Sequence, residues 1–197
     1  MSKIVDSFRA WKAGPGSIGL LILGVILGLT FFFSGGAFMV YANSEKFCAT
    51  SCHEMSFLAE EHKGTIHDTN RTGYRATCND CHVPHGYVPN YFAKLALFND
   101  YWGHWTGSID TKEKFEAKRY ELAKKVWTYM KSNDSRECRH CHTTAKMDPD
   151  KQTTKAKARH EKLRTENLTC VDCHFGIAHT EPEGPGPQEL TAAAAGK

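Results

Sequence analysis

Residues 78–82 read Cys-Asn-Asp-Cys-His, residues 138–142 Cys-Arg-His-Cys-His and residues 170–174 Cys-Val-Asp-Cys-His. A fourth stretch, Cys48-Ala49-Thr50-Ser51-Cys52-His53, repeats the pattern with one extra residue between its thiols. All eight cysteines of the 197-residue chain fall in these four motifs, and a histidine follows the second thiol of each. C-x-x-C-H is the attachment pattern of c-type haem. Two thiols form thioethers to the porphyrin edge, and the adjacent imidazole reaches the iron. A disulfide framework would also use an even number of cysteines, and structural zinc would also combine C-x-x-C pairs with histidine. Neither accounts for the fixed Cys-His step. The chain therefore reads as a tetrahaem c-type cytochrome, with Cys48, Cys52, Cys78, Cys81, Cys138, Cys141, Cys170 and Cys173 binding four haem c groups.

Upstream of the motifs, Ile18 to Val40 forms an uncharged apolar run of 23 residues. As a helix it is roughly 34 Å long at about 1.5 Å per residue, enough for a bilayer core of about 30 Å. A signal peptide is the competing reading, but its apolar region is only about 7–15 residues long. The run predicts an uncleaved transmembrane helix over 18–41. Lys3, Arg9 and Lys12 would hold residues 1–17 on the cytoplasmic side, at or near the membrane surface. The motifs then lie on the periplasmic side of a bacterial inner membrane, where covalent haem attachment takes place.

The remaining segment, 42–180, is rich in Lys, Arg, Asp, Glu, Thr and Asn and poor in Val, Ile and Leu. Such a sequence cannot bury a large apolar core, so the haems must supply it. The formal net charge of +3 is too small to imply nucleic acid. Residues 181–197, with three prolines and no periodicity, predict a disordered tail.

The motif histidines are 29, 60 and 32 positions apart, counting from His53 to His82, His142 and His174. Two close pairs thus flank a long gap. Each pair has a histidine between its motifs, His67 or His160, and another soon after its second motif, His85 or His179. The second motifs share C-x-D-C-H. This suggests two dihaem halves, about 42–107 and 108–180, from an internal duplication. Ile109–Lys131 predicts an amphipathic helix ended by Asn133-Asp134-Ser135, and Lys151–Arg164 a Lys-rich surface helix carrying His160. No run alternates as a strand, so the fold class is mainly α with extensive loops. Besides the motif histidines, candidate iron ligands are His62, His67, His85, His104, His140, His160, His179 and Met55. A thioether such as Met55 raises haem potential relative to a second histidine.

The anchor followed by CATSCHEM, CNDCHVPH, ECRHCH and CVDCHFGIAH resembles the NapC/NirT family of membrane-anchored tetrahaem quinol dehydrogenases, from the anchor to about Thr180. Relatives have two residues between the first pair of cysteines where this chain has Ala49-Thr50-Ser51, which leaves His53 and Met55 as alternative ligands of the first haem. The resemblance implies Met55 on one face of that haem and an open second face beside Asp100 and Lys94. There a carboxylate accepts a quinol proton as general base, and a lysine polarises the other oxygen. Tyr91, Phe92, Leu95, Leu97, Phe98, Tyr101, Trp102 and Trp105 surround these two residues and suit membrane lipid headgroups. The resemblance further implies distal ligands His67, His160 and His179 to haems 2 to 4, which with His82, His142 and His174 complete the set. The histidine between the motifs of one half would serve a haem of the other, and His85 is the alternative ligand.

The implied function is oxidation of menaquinol or ubiquinol, with electrons passed to a periplasmic redox protein such as a nitrate or nitrite reductase. Two alternatives stay open: a relay between cytochromes without quinone chemistry, and a quinone reductase fed by periplasmic donors, as in ammonia oxidation. A homo-oligomer is compatible with the sequence, but no residue argues for one. Because the haems must supply the core, the haem-free chain is expected to lack a cooperative thermal transition, and a native-like melt of haem-free protein by circular dichroism would refute this.

Overall fold

The computed structural model describes residues 15–190. These divide at Ala42 into two compact units. The first is a single helix, α1 (Pro15–Ala42). Proline suits its first turn, where no intrahelical donor is needed. Its side chains are apolar on all sides and exposed, with Leu20 70%, Phe31 80% and Val40 76% accessible. A helix apolar all round belongs in lipid, and Gly16–Ala42 is long and apolar enough to cross a membrane. Residues 1–14, with their basic side chains, lie outside the described residues.

The second unit is helical, with no strand among the described residues. In chain order its α-helices are α2 (Glu45–Thr50), α3 (Met55–His62), α4 (Cys78–His82), α5 (Tyr87–Ala96), α6 (Phe98–Trp105), α7 (Lys112–Ser132), α8 (Arg136–Cys141) and α9 (Thr154–Thr165). Short 3₁₀ turns at Thr144–Lys146, Pro149–Lys151 and Cys170–Asp172 complete it. Most of these helices are too short to persist alone in water. The long one, α7, starts where Thr111 caps the Lys114 amide and ends at Asn133, close to the predicted span.

Besides Pro84 and Pro187, the apolar side chains buried in this unit are Ala76, Phe115, Trp127 and Val171. Phe115 of α7 meets Phe57 of α3 at 5.9 Å, and Trp127 meets Phe175 edge-on at 5.6 Å. Charge networks bind the elements where apolar contact is scarce. Arg119 on α7, 8% exposed, donates to both Glu61 oxygens at 2.8 and 2.5 Å, to Glu116 at 2.6 and 2.8 Å and to the Thr180 carbonyl at 3.3 Å. Glu61 in turn accepts from the Thr180 amide at 2.9 Å. One guanidinium therefore joins α3, α7 and the end of the fourth motif.

The expectation of a disordered tail is corrected for 181–190. The chain here folds back on α7: Tyr120 donates to the Pro185 carbonyl at 3.1 Å, Lys131 donates to the Pro187 carbonyl at 2.8 Å, and Pro187 is fully buried. Gly184 permits the approach. Its φ is +136°, and an added Cβ would stand 2.7 Å from the Tyr120 ring. Few apolar side chains remain to compete for α7, so prolines and backbone carbonyls cover it. Residues 191–197 lie outside the described residues.

Arg119→Met leaves the half-buried Glu61 without its cation. The expected loss is roughly 2–3 kcal/mol, less than for a fully buried pair because Glu61 and Glu116 keep some water. Thermal unfolding of the haem-loaded protein reads it, with Glu116→Gln as a near-neutral control, and an unchanged melting temperature in Arg119→Met contradicts the assigned role.

Candidate haem-binding site

The second and fourth motifs are built the same way. Asp80 accepts from the Thr77 amide at 2.7 Å and the Thr77 hydroxyl at 2.8 Å. Asp172 does the same for Thr169, at 2.7 and 2.9 Å. The shared aspartate of C-x-D-C-H thus belongs to a capping box that starts each short helical turn. In the third motif, Ser135 has left-handed backbone (φ 49°), is fully buried, and accepts from the Val171 amide at 3.2 Å. That bond ties the start of α8 to the fourth motif, and the ion pair of Lys131 with Asp172 ties the end of α7 to it. The first motif differs. Its extra residue leaves Cys48 on α2 and puts Cys52 in the turn after it. No two of the eight cysteines are bridged to each other, against the disulfide reading.

The imidazoles come together in facing pairs. Ring centres of His82 and His179 are 6.1 Å apart, those of His67 and His142 6.3 Å, and those of His160 and His174 6.1 Å. With metal–nitrogen bonds of about 2 Å, two imidazoles on opposite faces of one iron have ring centres roughly 6 Å apart. Nδ1 of His67 and Nδ1 of His179 are buried without a normal hydrogen bond, although the Leu58 backbone lies close to His179. His160 Nδ1 bonds Gln152 Oε1 at 2.7 Å, which fixes its tautomer and turns Nε2 outward as metal-binding histidines require. These residues fit haem iron. Two pairs cross the 107/108 division, while His160 lies against His174 within its own half. Burial, then His160, then His142 disfavour the charged form of His174, so the third and fourth motifs are neighbours. His82 is likewise disfavoured, by the dense chain around it and then by His179, though its own surface stays open.

The thiols mark the order of the sites. Burial raises the Cys78 thiol first, and nearby Cys48 adds to it. Burial with Cys138 next pushes Cys81 up to about 11. Burial and then Cys170 raise Cys138. Each motif therefore stands beside the next in sequence order.

Lys94 and Asp100 flank the first motif. Burial lowers Lys94, opposed by Cys48, and Lys94 Nζ is 6.0 Å from the Phe47 ring centre. Asp100 is raised by desolvation, with Lys125 opposing, although its side chain keeps open surface. Burial, Glu54 and Asp100 together raise Cys52. Around them α5 and α6 expose Phe92 (64%), Phe98 (64%), Trp102 (61%) and Trp105 (70%), a contiguous apolar surface of the kind that marks a membrane or ligand contact. Met55 opens α3 directly after the motif.

Other histidines are placed differently. His53 Nε2 bonds the Asp110 carbonyl at 2.9 Å, and its Nδ1 is 3.5 Å from Glu54. His85 stacks on His140 with centres 3.7 Å apart and planes at 13°, too close for an iron between them. His62 is buried at the end of α3 and faces no partner imidazole. Sequence reasoning missed Glu54, which is 1% exposed and accepts from His104 Nδ1 at 2.6 Å. Its position between His53 and Met55 was the available signal.

An all-apolar helix, four Cys-His motifs and imidazoles facing each other at iron-spanning distance define a membrane-anchored c-type cytochrome with covalently bound haem c. The chain belongs to the NapC/NirT cytochrome c family, whose N-terminal-region model matches residues 12–184. It is 47% identical to the denitrification system component NirT of Stutzerimonas stutzeri, over 84% of this chain and 83% of that one. It is 46% identical to the cytochrome c-type protein NapC of Paracoccus pantotrophus, over 86% and 73% of the two chains. A protein of Allochromatium vinosum named as a tetraheme cytochrome-c type is 42% identical over 81% of this chain and 91% of its own. No solved structure matches the chain significantly.

Proposed function

We propose that the chain oxidises a membrane quinol, menaquinol or ubiquinol, beside the first motif and passes the electrons along four haems to a soluble periplasmic reductase. The supporting observation is the position of Lys94 and Asp100, one at each cysteine of that motif and next to an exposed aromatic surface. Names of relatives that include a denitrification component agree with a terminal reductase for nitrate or nitrite as the partner. The N-terminus is cytoplasmic, by its basic residues, and the haem domain is periplasmic in the bacterial inner membrane.

Each haem, when bound, takes up and releases a single electron. The chain's part is to hold, space and tune these groups. His82 with His179, His142 with His67 and His174 with His160 would hold three irons. His53 commits its Nε2 to the Asp110 carbonyl, which favours Met55 over His53 at the first. The hydrogen-bonded His53 and the stacked His85 are then structural. At the quinol, Asp100 accepts the proton of one hydroxyl. Its raised pKa makes it a stronger base than an ordinary carboxylate, and only the deprotonated form works. Lys94 donates to the other oxygen. Phe92, Phe98, Trp102 and Trp105 give the ring and its lipid tail an apolar approach.

Asp100→Asn should lower quinol-driven haem reduction by about a hundredfold or more while all haems remain, read from the haem α-band after mixing detergent-solubilised protein with menaquinol or ubiquinol. Near-normal reduction removes Asp100 from the mechanism. A wild-type protein that quinol does not reduce leaves a relay between cytochromes or a quinone reductase fed by periplasmic donors.

Acidification should slow the wild-type reaction, because the working carboxylate is lost below its pKa. The midpoint is expected above the ordinary value of about 3.9, and a rate that stays constant down to that pH argues against Asp100 as base.

His67→Ala or His160→Ala should each convert one low-spin haem to high spin. Unchanged electron paramagnetic resonance spectra in both variants would remove these ligand assignments.

A further inference from the structure

We propose that His104, oriented by the buried Glu54, is a second hydrogen-bond acceptor for the quinol and receives one hydroxyl through Nε2 while Asp100 receives the other. The inference rests on the quinol-oxidising reading above and deepens it. A quinol carries two hydroxyl hydrogens. The site described so far gives them one acceptor, Asp100, because a protonated lysine donates and cannot accept. A second acceptor within reach of the first motif would receive the other, and His104 meets the conditions for it.

Glu54 is 1% exposed and gives Oε1 to His104 Nδ1 at 2.6 Å. An ionised carboxylate only accepts, so the imidazole proton sits on Nδ1 and Nε2 carries the free lone pair. His104 keeps 37% of its side chain exposed, so that lone pair is within reach of a ligand. Asp100 and His104 are four residues apart on α6 and so share one face, with Cβ atoms roughly 6 Å apart. That spacing is comparable with the span between the two para oxygens of a quinol. Glu54 and Asp100 both act on the Cys52 thiol, so Asp100 and the carboxylate that holds His104 lie at the same motif.

His53 does not compete for the position. Its ring meets His104 edge-on at 5.6 Å, but its Nε2 is committed to the Asp110 carbonyl at 2.9 Å. The same commitment argues against an iron between His53 and His104. Burying a carboxylate is costly unless it is paired, and the pairing here leaves Glu54 Oε2 without a hydrogen bond, 3.5 Å from His53 Nδ1. A mere tie between α6 and the motif would not need a buried charge whose partner presents an accessible lone pair.

The test uses the full haem-loaded protein in detergent, with wild type, His104→Ala, His104→Gln and Glu54→Gln compared. The probes are menaquinol for turnover and a hydroxyquinoline N-oxide inhibitor for binding to the oxidised protein. Loss of one hydrogen bond to the ligand should raise KM and inhibitor Kd about tenfold in His104→Ala, with haem content and electron paramagnetic resonance spectra unchanged. Glutamine can present a carbonyl acceptor, so His104→Gln should recover most of the affinity, and Glu54→Gln should fall between. KM and Kd within about twofold of wild type in His104→Ala with its haems intact overturn the proposal. Should that variant lose haem, unchanged values in both His104→Gln and Glu54→Gln overturn it equally. A wild type that neither oxidises menaquinol nor binds the inhibitor overturns the quinol reading itself, a result distinct from a silent His104.

Discussion

Two imidazoles facing each other at about 6 Å are the constraint on which the rest of this fold depends. Two such pairs join segments far apart in the chain, His67 with His142 and His82 with His179, and a third closes His160 on His174. A protein of this length normally collapses around apolar side chains. Here, apart from Pro84 and Pro187, only Ala76, Phe115, Trp127 and Val171 are buried among the apolar residues described after Ala42. The helices that carry the motifs have five or six residues, and the fourth motif is a single 3₁₀ turn. Such pieces do not hold themselves. Thioether attachment would fix two points of each motif, and a distal imidazole would bring in a third from elsewhere in the chain. Metal-ligand bonds then do what core packing does in an ordinary domain.

Ion pairing handles the connections that lie outside those bonds. Arg119 gathers Glu61, Glu116 and the Thr180 carbonyl, and Arg75 reaches both Glu45 and Asp68. The Arg75 contacts and neighbouring hydrogen bonds hold Asp68 down at about 2, the Gly64 amide contributing most. Arg119, buried on α7, stands where a larger domain would place leucine or valine. A highly charged composition that looks like a solvated surface in sequence is in part the interior bonding of a small unit with little apolar material.

Sequence made some of this legible and hid the rest for physical reasons. The motifs were readable because covalent attachment demands a fixed spacing. The long helix α7 was readable because Thr111 and Asn133 mark its ends. The match between C-N-D-C-H and C-V-D-C-H became a shared capping box, with Thr77 and Thr169 bonded alike to Asp80 and Asp172. Pairing was not readable, because which imidazole faces which depends on loop paths. His160 lies against its own half's His174, whereas His67 crosses to His142. Residues 181–190 misled through composition: glycine and proline suggested disorder, yet Gly184 is what lets the chain lie against Tyr120. Glu54 and His104 were hidden because neither belongs to a repeat.

The irregular first motif follows from what the others cannot do. In the second and third motifs both thiols sit on one short helix, and the facing pairs His82–His179 and His67–His142 would hold an iron from both sides. A site closed on both faces can pass an electron but has no face left for a substrate. The additional residue among Ala49-Thr50-Ser51 separates Cys48 on α2 from Cys52 in the turn, and His53 turns away to the Asp110 carbonyl. On the proposed assignment Met55 then serves the iron from one side. Its thioether raises the potential relative to a second histidine, which favours uptake of electrons at this end of the line. The opposite side is left to Lys94, Asp100 and His104. A two-electron, two-proton donor must meet a one-electron chain at a site with an open face and acceptors for both protons. Of the four motifs, only the one that departs from the regular spacing combines these features.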